Sequence, residues 1–234
     1  MDGDRLHRLR GNPLDTVQVT GETLPLGGAR LLAPVEPCRI FAVIGGLVGP
    51  EPAGPPADGP LVVPKVVSRA TGPGDDIEFP PGVASLWAEA EVALVVGRRL
   101  RDADADEAAG AIWGYTCCND VTTPDRFPEF TEAKSFDTFA VIGPWVRTDL
   151  TGSAVARGLD VVCRVNGVTV GRGSTSDYRH PPHEVVRHLS RRCTLLPGDV
   201  VTLGTPAPVE VRPGDQVEVE VEEIGVLWNR VVAR

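Results

Sequence analysis

The chain has 234 residues, 42% hydrophobic and 24% charged, with a formal net charge of −9. That length suits one large domain with a short extension, and the acidic balance argues against nucleic acid and anionic membrane surfaces as general partners. No apolar run reaches the roughly 18 residues of a membrane span, no secretory pattern opens the chain, and the odd set of cysteines (38, 117, 118, 163, 193) has no CxxC spacing, so a reducing cytoplasm is the expected compartment.

Residues 1–30 are weakly patterned and read as a small N-terminal appendage to a main domain spanning 31–234. The first expected strand is "RIFAVIGG" (39–46). The stretch 47–60, "LVGPEPAGPPADGP", is too rich in Pro and Gly for a packed element and reads as a loop or disordered tip. "TGPGDD" from Thr71 reads as a turn. "WAEAEVALVVG" (87–97) then reads as a strand entering a core, followed by a helix from Asp102 in "DADADEAAGAIW", with acidic residues in its first turn. Strands are expected in "AIWGYTCCNDV" (111–121), "TFAVIGPWVRT" (138–148) and "DVVCRVNGVTV" (160–170), the last with the hairpin-turn signal "NG". A second helix is expected in "PPHEVVRHLSRRC" (181–193), with Pro at its start. "DVVTLGT" (199–205) and "QVEVEVEEIGVLWNRVV" (216–232) complete the strands, and the alternation of "QVEVEVE" gives one wet face and one buried face. The fold class is a β-rich α+β domain with many short strands.

Glu89 and Glu91 lie two residues apart, so on a strand they share a face, where burial makes their repulsion worse. Asp120 ends another apolar run in "CCNDVTTPD". Three carboxylates converging on one hard divalent cation would relieve that repulsion. The alternative is a solvated strand end whose glutamates face water, as the similar "VEVEVEE" near the C-terminus shows is common without a metal. Cys117 and Cys118, adjacent on a strand, point to opposite faces and read as buried thiols, and Trp87 reads as packing.

From about Leu31 to Val232, "GPGDDIEFP", "AEVALVVGR", "GYTCCNDVT", "KSFDTFAVIGPWV", "VNGV", "LLPGDVVTLGTP" and "PGDQVEVEVEEIGVLWN" resemble, in order and spacing, the fumarylacetoacetate hydrolase superfamily. The resemblance implies a mixed β-roll with few short helices. It implies that Glu89, Glu91 and Asp120 bind Mg²⁺ or Mn²⁺, that Lys134 lies near the metal and meets substrate, and that Thr205 contacts substrate from a loop. It also implies a small keto acid as substrate and a homodimer as the assembly. Lys65 matches a lysine on or near a pocket strand, and no role is assigned to it.

Hydrolytic members carry a His–Glu pair on a short lid helix after the strand matched by "IFAVIGG". The corresponding stretch here has Glu51 but no histidine, and its prolines forbid most of a helix. The arginine and glutamine that hydrolases place after the metal-binding aspartate fall on Pro124 and Phe127, with Arg126 between them as a possible substitute. "NDVTTPD" is instead similar to the decarboxylase/isomerase branch of homoprotocatechuate breakdown. The expected function is therefore metal-dependent decarboxylation or tautomerisation of an enolisable 2-oxo or 1,3-dicarbonyl carboxylate through an enolate. His180 in "TSDYRHPP" is the candidate to replace the missing acid–base group, and Arg179 is a candidate to hold a substrate carboxylate. His183 and His188, five apart, lack metal-pair spacing and read as solvated helix positions. Two alternatives stand: a C–C bond hydrolase of the same family, and a non-catalytic subunit partnering a paralogue.

Overall fold

Strand-forming runs separated by tight turns dominate the computed structural model, which describes residues 3–47 and 59–234. The chain divides into two units, Met1–Leu31 and Leu32–Arg234. In the first, β1 (Arg5–Leu9) and β2 (Val19–Pro25) form an antiparallel hairpin. The sequence hid this hairpin because neither strand buries a face. Nearly every residue of β2 is exposed, so no alternation of apolar and polar positions marks it.

The second unit is built on two sheets. Its elements in chain order are β3 (Ile40–Ile44), β4 (Leu61–Lys65), β5 (Asp76–Phe79), β6 (Leu86–Val96), α1 (Ala105–Ala109), β7 (Ile112–Asp120), α2 (Phe130–Lys134) and β8 (Ala140–Arg147). There follow α3 (Gly152–Arg157), β9 (Asp160–Val165), β10 (Val168–Ser174), α4 (Pro182–Ser190), β11 (Val200–Thr202), β12 (Pro208–Val211), β13 (Gln216–Val221) and β14 (Gly225–Ala233). The larger sheet runs β4-β3-β11-β6-β7-β8, with β12 also pairing β6, and the smaller runs β10-β9-β13-β14-β5. Both sheets mix parallel and antiparallel pairs, since β11–β3 and β14–β5 are parallel among otherwise antiparallel neighbours. This is the β-rich α+β class with few short helices that the sequence implied.

β6 is the central strand. From Ala88 to Val96 every residue is buried, as expected of a strand paired on both edges and covered on both faces. The core packs its Val92, Leu94 and Val96 with Tyr115 and Cys117 of β7 and the inward Val217, Val219 and Val221 of β13. Glu218 and Glu220 alternate with those valines on the half-exposed face. The "NG" turn joins β9 to β10 with Asn166 at φ 53° and Gly167 at φ 78°, the double left-handed turn that this dipeptide favours.

Two expected elements are shorter than their sequence patterns. The helix from Asp102 starts with Asp104 as its cap, in a reciprocal capping box with Glu107, and stops at Gly110. Ile112 and Trp113 belong to β7: Ile112 pairs with Val96 of β6, and Trp113 sits at the bulge before Gly114 pairs with Val95. The run 216–232 is a hairpin rather than one strand: it reverses at residues 222–224, where Glu223 has φ 62°. Among the described residues no helix is long and apolar enough to cross a membrane.

Candidate active site

Register decides which carboxylates meet. β6 and β7 pair Ala90 with Asn119 and Glu91 with Cys118, and the ladder continues to a bridge between Trp87 and Thr122. That register sets Asp120 across from Glu89, on the face that Glu91 shares. One carboxylate oxygen from each of Glu89, Glu91 and Asp120 lies within 4.8 Å of the others, and all three residues are buried. The solvated strand end allowed by sequence spacing is therefore not what forms: Glu91 is 1% exposed and Glu89 8%.

Two buried lysines enter the cluster from elsewhere in the chain. Lys134, the last residue of α2, donates to Glu89 Oε2 at 2.7 Å, Asp120 Oδ2 at 2.8 Å and Thr122 Oγ1 at 2.7 Å. Thr123 N–H donates to Ala133 O at 2.8 Å, which ties α2 to the turn after β7 and aims its terminal lysine inward. Lys65, the last residue of β4, donates to Asp120 Oδ1 and to Val121 O, the latter at 3.0 Å. Three carboxylates thus face two ammoniums, with one negative charge in excess when all are ionised.

That excess falls on the glutamates. Burial, followed by the neighbouring Asp120 and Glu89 charges, pushes the Glu91 carboxyl well above the usual carboxylate range. Burial also raises Glu89, although Lys134 opposes it. Burial alone would raise Asp120 as well, but the Lys134 and Lys65 ammoniums outweigh it and hold that carboxyl below its ordinary value. Burial works against the Lys134 charge, and the three carboxylates override it and keep the ammonium protonated.

The third wall comes from a detour in the sheet. β11 pairs with β6 as far as Thr202–Ala93, and β12 resumes the pairing at Pro208–Glu89. Leu203 N–H still donates to Val92 O at 3.0 Å, and residues 204–207 then leave the ladder and pass beside Glu91, whose Oε2 accepts the Gly204 N–H at 2.7 Å. Gly204 has φ +106°, and a Cβ there would lie 2.7 Å from Gly46 Cα, so both the turn and the close approach require glycine. The half-buried Thr205 follows directly, its hydroxyl donating to Ala207 O at 3.1 Å.

The remaining candidates make the following contacts. Arg179 is half-buried and committed to backbone: its N–H donates to Gly46 O at 2.8 Å and its Nε to Leu47 O at 3.1 Å. His180 Nε2 is buried with no hydrogen-bond partner among the described residues. Arg126 is exposed on the short turn Pro124–Arg126 that follows β7. His183 and His188 are half-buried on α4, near Glu184 and Arg192 respectively. Trp87 packs edge-on to Phe127. Cys118 shares the carboxylate side of β7, while Cys117 points the other way and donates to Gly225 O at 3.3 Å. Glu51 and most of the Pro-rich stretch, residues 48–58, lie outside the described residues. Sequence reasoning assigned no role to Lys65 or Thr122. The signals available for Lys65 were its match to a lysine on or near a pocket strand and its place closing the strand-like run "LVVPK".

The donor set suits a hard divalent cation. All ligand atoms are carboxylate oxygens, and they lie within 4.8 Å of one another, close enough for one ion to reach all three. Each carboxylate has lone pairs beyond those the lysines use. An added double positive charge would also offset the excess negative charge.

Comparison with known proteins gives a consistent set of relatives. Residues 44–232 match the family model described as fumarylacetoacetate (FAA) hydrolase C-terminal, and residues 1–34 match one described as Rv2993c-like, N-terminal. Protein Rv2993c of Mycobacterium tuberculosis is 36% identical over 95% of this chain and 86% of its own. The human mitochondrial oxaloacetate tautomerase FAHD2A is 32% identical over 89% of this chain and 71% of its own. The crystal structure of 5-carboxymethyl-2-hydroxymuconate delta-isomerase from Mycobacterium smegmatis superposes with a TM-score of 0.90 at 34% identity, covering 98% of this chain and 90% of that one.

Proposed function

The chain belongs to the fumarylacetoacetate hydrolase C-terminal family, and from that premise we propose that it is a divalent-metal-dependent isomerase, interconverting keto and enol forms of a 2-oxo or 1,3-dicarbonyl carboxylate. The observation that carries this reading is the buried cluster of Glu89, Glu91 and Asp120 with Lys134 against it. Relatives named as a tautomerase and an isomerase support the reaction class.

In this reading Glu89, Glu91 and Asp120 hold Mg²⁺ or Mn²⁺, which supplies Lewis-acid stabilisation of negative charge on a carbonyl oxygen. The rest falls to the chain's own groups. Lys134, hydrogen-bonded to Glu89, Asp120 and Thr122, is placed to act as a positive charge and hydrogen-bond donor beside the developing enolate. Thr205, next to the amide that orients Glu91, offers a hydroxyl to the substrate from the 204–207 loop. The unpartnered Nε2 of His180 is the group assigned to move the proton between carbon and solvent, with Arg179 and Arg126 assigned to the substrate's distal carboxylate. Loss of carbon dioxide from a substrate with a second carboxylate would pass through the same enolate, so decarboxylation is a side reaction this reading allows beside the isomerisation. The small keto acid and a second copy of this chain are the partners proposed.

The test is enol–keto interconversion of oxaloacetate, followed by the ultraviolet absorbance of the enol, with Mg²⁺, with Mn²⁺ and with EDTA. Metal-dependent acceleration that is lost in Glu91→Gln is expected. Rapid cleavage of acylpyruvates with oxaloacetate left unchanged would replace this reading with the hydrolase. Absence of any reaction or metal binding would leave the non-catalytic subunit.

A further inference from the structure

Lys65 is the one charged group of the cluster to which no role has been given. Its side chain is fully buried, and its ammonium joins Asp120 Oδ1 to Val121 O, the carbonyl one residue further along the chain. Lys134 takes the other oxygen, Oδ2, at 2.8 Å. Asp120 is therefore gripped at both oxygens by lysines that arrive on different elements, one ending β4 and one ending α2. Two donors on opposite oxygens fix the plane of a carboxylate, whereas one donor leaves it free to turn.

The geometry points to Lys65 as a positioning residue: by anchoring Asp120 Oδ1 it holds the carboxylate plane so that Asp120 completes a cation seat with Glu89 and Glu91. The inference rests on reading that cluster as a divalent-ion site. The physical case is one of competition for Lys134. Without Lys65, Oδ1 would be a buried acceptor with no donor, and burial makes that state costly. The nearest remedy is rotation of the carboxylate to present Oδ1 to Lys134, which already serves Glu89 and Thr122. Such a rotation turns Asp120 away from the arrangement in which the three oxygens converge.

A second effect of Lys65 has the opposite sign, and this makes the idea decidable. A buried positive charge beside a cation seat repels the cation, so simple charge removal would tighten ion binding. Loss of orientation would loosen it, with losses of about 10–100-fold typical when a group supporting a metal ligand is removed.

The experiment measures Mn²⁺ affinity by calorimetry, the electron paramagnetic resonance spectrum of bound Mn²⁺, and the melting temperature in EDTA, for wild type and Lys65→Met. Positioning predicts roughly 10–100-fold weaker Mn²⁺ binding and an altered spectrum. Unchanged or tighter binding with the wild-type spectrum overturns it, and a lower melting temperature in EDTA at constant affinity assigns Lys65 to stability alone. Should Lys65→Met fail to fold, Lys65→Ser, whose short hydroxyl cannot reach Asp120 Oδ1, removes the same donor and charge and is read in the same way: weaker binding supports positioning, and equal or tighter binding overturns it. If wild type binds no Mn²⁺ at all, the reading of the cluster as a cation site fails first and takes this inference with it.

Discussion

Each charged residue in the cluster is tolerable only because of its neighbours. Asp120 is 1% exposed, and ionised it would be expensive to bury alone. Its two lysines reverse the sign of the burial effect and keep it a carboxylate. Asp120→Asn removes the negative charge that both ammoniums share and leaves one of them facing an amide N–H₂ in place of an acceptor oxygen. It is expected to destabilise the protein by roughly 3–5 kcal/mol, the typical cost of breaking a buried pair, read as a shift in urea midpoint. The thiols make a separate residue-scale case. Burial pushes Cys117 up to about 12 and Cys163 up to about 11, from an ordinary 9.0. A thiol whose folded value is raised contributes stability that is complete below the unfolded value and lost as pH rises toward the folded one. Between about pH 9 and 12 the melting temperature should fall, at roughly 1.4 kcal/mol per pH unit per buried thiol, and Cys117→Ala should flatten that limb. At neutral pH a disulfide reagent should modify the exposed Cys38 and spare Cys117, Cys118 and Cys163 in the native protein, as mass spectrometry of labelled peptides would show.

The elements place these residues through where strands stop. β4, β7 and α2 each end on a site residue (Lys65, Asp120 and Lys134), so the cluster forms where regular structure gives out. β11 and β12 contribute by interruption, since the gap between their pairings with β6 carries Gly204 past Glu91. Gly204→Ala tests this directly. A Cβ 2.7 Å from Gly46 Cα, on a backbone with φ +106°, forces the 204–207 loop to move. The expected result is a loss of roughly 1–3 kcal/mol of stability together with weaker metal-linked stabilisation, because Glu91 loses its amide donor. A normal metal response in a destabilised variant would show that the amide does not orient Glu91. At this scale the sequence was partly legible. The "NG" hairpin and the wet face of β13 were readable because turn chemistry and alternation are local. The β1–β2 hairpin, with no buried face, and the early stop of α1, where β7 takes over Ile112, were not.

For the whole molecule, a divalent ion that binds only the folded state should raise stability by mass action, about 2.7 kcal/mol at a hundred times its dissociation constant. The melting temperature should therefore climb with the logarithm of Mg²⁺ or Mn²⁺ concentration and return to baseline in EDTA. A flat response would remove the metal from the proposed function. The proposed homodimer is checked by sedimentation of the intact chain across a dilution series. The sequence by itself determined the β-rich class, the shared face of Glu89 and Glu91, and a set of motifs specific enough to carry the family resemblance, because each is a pattern of neighbours along the chain. Only the tertiary structure decided that Asp120 sits across from Glu89, that two lysines divide its oxygens and that an amide reaches Glu91. Lys65 is 55 positions from Asp120, and Gly204 is 113 from Glu91. Contacts across such separations are set by strand register and by the burial that makes unpaired charges intolerable, and neither is written in any local stretch of residues.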